Sequence, residues 1–206
     1  MMQKYEPTSV ILIVLAFVLI PFPLSAGAPT DQIRTTVDKA LNVLRSPGLK
    51  SEAKKKERRD QLRQVIASRF DFAEMARRAL GSQWRRLTPQ EREEFVRLFT
   101  DLLERAYLDR IESYGDEKLT YSRENLDGNY AEVESRIVTH RGEEFSLNYR
   151  AHLVNGEWKV YDVVVENISL VNNYRSQFNR IITNSSYEEL IRRMKEKQIE
   201  LKDAKR

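Results

Sequence analysis

The sequence predicts a single α+β domain, with a four-stranded, curved antiparallel sheet packed against a layer of about six or seven helices. Three observations carry that expectation. Apolar residues recur at three- and four-residue spacings up to about position 114, then switch to alternation from Lys118 onward. Three turn signals, Asp127-Gly128-Asn129, Arg141-Gly142 and Asn155-Gly156, divide the alternating part into strands of a meander. Between Glu157 and Ile182 a strand-like run passes directly into a helix-like run and joins the two halves. A chain of 206 residues with 41% hydrophobic and 32% charged residues can bury one core and still present a soluble surface.

The N-terminus reads as a secretory leader, with an uncleaved anchor as the alternative because Glu6 offsets Lys4. Val10 to Ile20 is an unbroken apolar run, short for a membrane span of about 20 residues, preceded by Lys4 and followed by Pro21, Pro23, Ser25, Ala26 and Ala28. Cleavage after Ala26 is expected, because a cut after Ala28 would leave Pro29 beyond the bond. The expected division is residues 1–26 as leader and 27–206 as the domain, with a charged helical tail from about 198.

In the helical half, Asp31 is placed to cap a helix burying Ile33, Val37, Ala40, Leu41 and Leu44, which Ser46-Pro47-Gly48 ends. A second helix, Ser51 to Phe70, starts with the basic run Lys54 to Arg59 and ends with Leu62, Val65, Ile66 and Phe70 on one face. That basic run lacks interleaved aromatics, so it reads as a solvated face rather than a nucleic-acid site. Asp71 to Glu74 opens a helix lined by Met75, Ala76, Ala79 and Leu80, and Gly81 stops it. Thr88-Pro89-Gln90-Glu91 combines a cap, an N1 proline and a returning glutamate. The helix it starts carries a wide apolar stripe from Phe95 to Tyr114.

In the sheet half, Lys118 to Arg123 is a short first strand. Ala131, Val133, Ser135 and Ile137 alternate with charged residues on a second, and Phe145, Leu147, Tyr149, Ala151 and Leu153 do so on a third. The fourth, Trp158 to Glu166, holds three consecutive valines, as a strand with little solvent on either face would. After a turn at Asn167, Leu170, Val171, Tyr174, Phe178, Ile181 and Ile182 share one helical face. Ser186 to Glu189 starts a last helix.

Composition narrows the function. There is no cysteine, which excludes disulfides and thiolate chemistry, and the net charge of +4 is a modest surplus. His140 and His152, the two histidines, fall on strand positions expected to face solvent or a rim, without metal-ligand spacing. No G-x-S-x-G elbow, P-loop or dinucleotide fingerprint is present, so no catalytic residue, metal or cofactor is expected.

The segment YDVVVENISLVNNYRSQF, residues 161–178, resembles the signature of the MlaC family, also called the toluene-tolerance auxiliary family. FDFAEMARRALGSQW, residues 70–84, is similar to a second pattern of that family, and the resemblance extends roughly from Asp31 to Lys197. It implies a periplasmic carrier of diacyl phospholipid, with the acyl chains in a cavity between sheet and helices. It further implies partners: an inner-membrane ABC transporter complex with an MCE-type subunit, and an outer-membrane lipoprotein, with no nucleic acid and no cofactor. Carried onto this chain, the resemblance gives Phe99, Leu103 and Tyr107 as a helical wall. Val133, Ile137, Phe145, Leu147, Tyr149, Tyr161, Val163 and Val165 form the sheet wall, and Tyr174 and Phe178 close the side. Arg175, inside the motif, is the candidate for a headgroup or partner contact. Asn167 stands where many relatives place glycine, which implies a left-handed asparagine at the strand-to-helix turn. Two other readings stay open: a hopanoid or other isoprenoid-lipid carrier, and a protein-binding adaptor with a filled core.

Overall fold

The structure, a computed structural model, describes residues 28–113, 117–139, 142–197 and 199. The expected leader, most of the expected tail and His140 lie outside the described residues. In chain order the elements are α1 (Pro29–Arg45), α2 (Lys55–Arg69), α3 (Phe72–Leu80) and α4 (Pro89–Ser113), then β1 (Lys118–Asp127), β2 (Tyr130–Val138), β3 (Glu144–Val154), β4 (Glu157–Val165) and β5 (Ile168–Ser169), and last α5 (Leu170–Asn184) and α6 (Tyr187–Lys195). Short 3-10 turns occupy Pro47–Leu49, Glu52–Lys54 and Gly81–Arg86. The strands pair antiparallel in the order β1-β2-β3-β4-β5.

The sheet therefore has a fifth strand that the sequence reading did not include. Glu166 and Asn167 both adopt left-handed conformations, with φ of 47° and 64°. Two such residues fold the chain back in a tight hairpin, and Ile168 and Ser169 pair with Val165 and Val164 before α5 begins. Asn167 is thus left-handed, as its position implied. β1 also runs four residues further than expected, its extension paired with β2 beyond a bulge between Tyr121 and Arg123.

Local signals explain most helix starts. Asp71 accepts from the Glu74 amide at 2.9 Å. Thr88 and Glu91 bond each other's amides reciprocally at 3.3 and 2.7 Å. Ser169 and Ser186 cap α5 and α6. Helix α1 is different: Pro29 takes the first helical position, and Asp31 lies in the first turn instead of capping it. The carboxylate that meets this helix end is Glu124 of β1, which accepts from the Thr30 amide at 2.8 Å.

One crossing sets the layers. Phe70 forms a parallel bridge with Val160, and the Asp71 amide donates to the Val160 carbonyl at 2.8 Å. The chain passes the edge of β4 at that point. Helix α1 and the end of α2 lie against one face of the sheet, whereas α3 and α5 lie against the other. Helix α4 packs on α3 and α6. Helix α6, whose start the sequence marks at Ser186 to Glu189, buries Tyr187, Leu190, Ile191 and Met194 in the helical core.

Candidate functional site

The first sheet face is apolar, covered at one end and open at the other. Ile33 of α1 packs against Val133, Tyr149, Ala151, Trp158 and Val160, with Phe70 and Val37 alongside. Along β3 the cover recedes: Ala151 is fully buried, Tyr149 is 7% exposed, Leu147 is half-buried and Phe145 is 36% exposed. Val165 and Ile168, neighbours in the β4–β5 pairing, are each 42% exposed. Ile137 pairs with Phe145, and Val163 with Tyr149, so these half-buried side chains extend the same surface. Ser135 is the polar group in this row, and its hydroxyl is used up by the Leu147 carbonyl. An apolar surface that grades from core into solvent within one strand is unusual for a filled sheet face.

A cavity of ≈ 530 Å³ opens at the β1 edge of this face, between α1 (Val37, Asp38, Leu41, Arg45) and residues 117–121. Tyr121 lines it, with its hydroxyl buried and without a hydrogen-bond partner among the described residues. Burial, with a smaller push from Asp38, raises the Tyr121 phenol to about 12, so it stays protonated and can donate.

The residues expected to form one lining divide between two clusters. Phe99, Tyr174 and Phe178 are fully buried in the helical core with Phe95, their ring centroids 5.5–6.1 Å apart: Phe178 meets Phe95 and Phe99 edge-to-face, as Tyr174 meets Phe99, whereas Phe95 and Phe99 stack and Tyr174 and Phe178 are tilted. Leu103 is buried in the same cluster, and Tyr107 is packed against it. Val133 and Tyr149 belong to the sheet cluster, with Leu147 and Val163 packed against them. Ile137, Phe145 and Val165 form its open end.

Tyr161 stands on the opposite sheet face from Val163. The β3–β4 register shifts between Arg150 and Ala151, which leaves Tyr161 as the extra residue of a bulge. Its ring meets His152 and Tyr130 edge-on, with the Arg78 guanidinium 3.9 Å above it. His152, expected at a solvent-facing or rim position, keeps only 18% of its side chain exposed. Its Nε2 lies 3.0 Å from Asp71, tying the start of α3 to the sheet.

That second face carries a cationic cleft of ≈ 610 Å³ that sequence reasoning missed, Arg175 excepted. Arg77, Arg78, Arg85, Arg150 and Arg175 line it together with Trp84, Tyr161, Asp162 and the first turn of α5. They come from α3, the following 3-10 turn, β3 and α5, so no linear charge run marks it. Gly81, at φ +62°, lets the Arg175 guanidinium lie over the backbone, since a Cβ there would stand 3.1 Å from Nε. Buried Asp162 accepts from the Val171 amide at 3.0 Å and the Ser169 hydroxyl at 2.6 Å, with Arg150 at 3.4 Å.

Among the described residues no group of three or more His, Cys, Asp or Glu side chains is placed to hold a metal ion. The arrangement offers apolar contact on one sheet face and guanidinium donors on the other.

Comparison with known proteins follows the same lines. The profile of the MlaC protein family matches residues 34–196. The intermembrane phospholipid transport system binding protein MlaC of Haemophilus influenzae is 27% identical over 124 residues, 58% of this chain and 58% of that protein. The toluene tolerance protein ttg2D of Pseudomonas putida is 24% identical over 169 residues, 80% of this chain and 79% of its own length. Among solved structures, a phospholipid-binding protein from Ralstonia solanacearum, in complex with a phospholipid, superposes with a TM-score of 0.74 at 25% identity. It covers 82% of this chain and 96% of that one.

Proposed function

We propose, from the premise that this chain belongs to the MlaC family, that it is the periplasmic phospholipid-binding protein of an intermembrane transport system. The observation that carries the reading is the match, over most of both chains, to a structure holding a phospholipid. The half-open apolar face supports it physically. Two acyl chains carry on the order of 30 methylene groups at about 0.8 kcal/mol each in water, so a lipid leaves a bilayer readily only onto comparable apolar surface. Leu147, Val163, Ile137, Phe145 and Val165 supply such surface, and Tyr121 supplies a protonated hydroxyl at its edge for an ester or phosphate oxygen. The chemistry is binding and release, with no bond made or broken. An ABC transporter complex with an MCE-type subunit and an outer-membrane lipoprotein are the partners this reading proposes.

Native mass spectrometry of the full chain, followed by solvent extraction, tests it. A stoichiometric adduct resolving into diacyl phospholipids is the expected result. A polycyclic lipid in the extract would point to an isoprenoid carrier, and a clean apo mass to an adaptor.

A further inference from the structure

The cationic cleft lies on the sheet face away from the apolar surface, and lipid binding leaves it without a role. Five arginines line it against one carboxylate, Asp162, whose oxygens are already engaged by the Ser169 hydroxyl, the Val171 amide and Arg150. Arg77 and Arg78 share Glu74 on their own helix, and Arg150 also pairs with Glu132 at 3.7 Å. Arg85 and Arg175 are exposed and have no carboxylate or carbonyl partner among the described residues. Guanidinium groups are planar forks that match carboxylates two bonds at a time. Here they converge from four elements onto one concavity, with Gly81 making room for Arg175.

We propose that this cleft docks an acidic segment of a protein partner, a loop or helix end that projects several carboxylates. Charge complementarity selects the sign, and shape selects the class. Arg78, stacked on the Tyr161 ring, and Arg150, held by Asp162, are half-buried in the lining of a concavity that a flat bilayer surface does not fill. A single oxyanion engages two or three guanidinium groups and leaves most of the ≈ 610 Å³ unfilled. A projecting acidic element fills the volume and meets all five. Because the site lies across the sheet from the apolar face, a partner seated there leaves the lipid surface free. The proposal stands independently of the lipid-binding reading.

The test uses the full chain and a short fluorescein-labelled peptide with glutamate at alternate positions. Anisotropy is read at low salt, where screening extends over more than about 10 Å. The peptide is expected to bind, and its glutamine counterpart to bind far less. Arg85→Glu is expected to weaken binding by about tenfold or more, and Arg175→Gln to weaken it in the same direction. Arg180→Glu, an equal charge change on an exposed position of α5 outside the cleft, is expected to stay within about twofold. Circular dichroism melts confirm that each variant is folded. Equal weakening by Arg85→Glu and Arg180→Glu would overturn the proposal, leaving only diffuse charge. Displacement of the peptide by equimolar inorganic phosphate would replace it with a small-oxyanion site. Sedimentation with phosphatidylglycerol vesicles that depends on Arg85, without peptide binding, would replace it with a membrane contact.

Discussion

Glu112 sits in the last turn of α4 with only 10% of its side chain exposed, and it accepts from Arg58 Nε at 2.9 Å and from Arg59 Nε and Nη2 at 2.9 and 2.6 Å. Burial alone would raise its pKa. The hydrogen bonds and charges of Arg59 and Arg58 outweigh burial and hold the carboxyl below its usual value of 4.5. A carboxylate depressed in this way stabilises the fold above its unfolded pKa, and that contribution is lost as pH falls through the folded value. Glu112→Gln is therefore expected to cost about 2 kcal/mol at pH 7. The difference from the parent should be smaller at pH 3 than at pH 7, because the carboxylate begins to protonate as pH falls toward its depressed folded value. Urea unfolding at the two pH values checks this, and a pH-independent difference would remove charge as the cause. The same residues mark a limit of sequence reading. Lys54 to Arg59 reads as a solvated basic face, and for Lys54 and Lys56, which pair locally and are mostly exposed, it is one. Arg58 keeps only 13% of its side chain exposed because its partner lies 54 residues away on α4. No local pattern announces that pairing.

At the scale of elements, the legible parts were those whose cause is local. The Thr88–Glu91 box and the Asp71 and Ser186 caps could be read because both partners lie within one turn. The bulge at Tyr161 could not be read. Tyr161, Val163 and Val165 follow a strict period of two, and only the register against β3 reveals the extra residue that turns Tyr161 to the other face. The β5–α5 junction shows both kinds of information at work. Ser169 caps α5 by accepting from the Asn172 amide at 3.0 Å, a bond between residues three apart. It also donates to Asp162 on β4 at 2.6 Å, which only the fold supplies. Ser169→Ala removes both bonds and leaves buried Asp162 with one donor fewer. The expected loss is about 1–2 kcal/mol, more than a surface cap alone would give. Ser169→Asn, which can cap but replaces the hydroxyl, should recover only part of it. If chemical denaturation finds the alanine variant within about 0.5 kcal/mol of the parent, the Asp162 link contributes nothing.

For the whole molecule, the decisive feature is the crossing at Phe70, which gives the two faces of one sheet different neighbours and different chemistry. Alternation along β2 and β3 identified apolar rows, but it could not tell which end of a row a helix covers. That depends on where α1 lies, and α1 is placed by contacts such as Thr30 to Glu124, 94 residues apart. The proposed function depends on the uncovered end, so it is tested there. Leu147 is half-buried between fully covered Ala151 and open Phe145. A tryptophan at this position adds bulk where acyl chains would lie and does not intrude on the core under Ile33. Leu147→Trp is expected to carry less than about half the phospholipid of the parent, by extraction and quantitation, because overpacking at a contact surface excludes an occupant. A ligand present at 100 times its dissociation constant stabilises by about 2.7 kcal/mol, and at this chain length each kcal/mol moves Tm by about 2–4 °C. The loaded parent should thus melt roughly 5–10 °C above its delipidated form, and Leu147→Trp should close most of that gap. Full lipid content in the variant, with the gap intact, would place the acyl chains elsewhere, and the helical cluster around Phe99 and Tyr174 would be the next surface to probe.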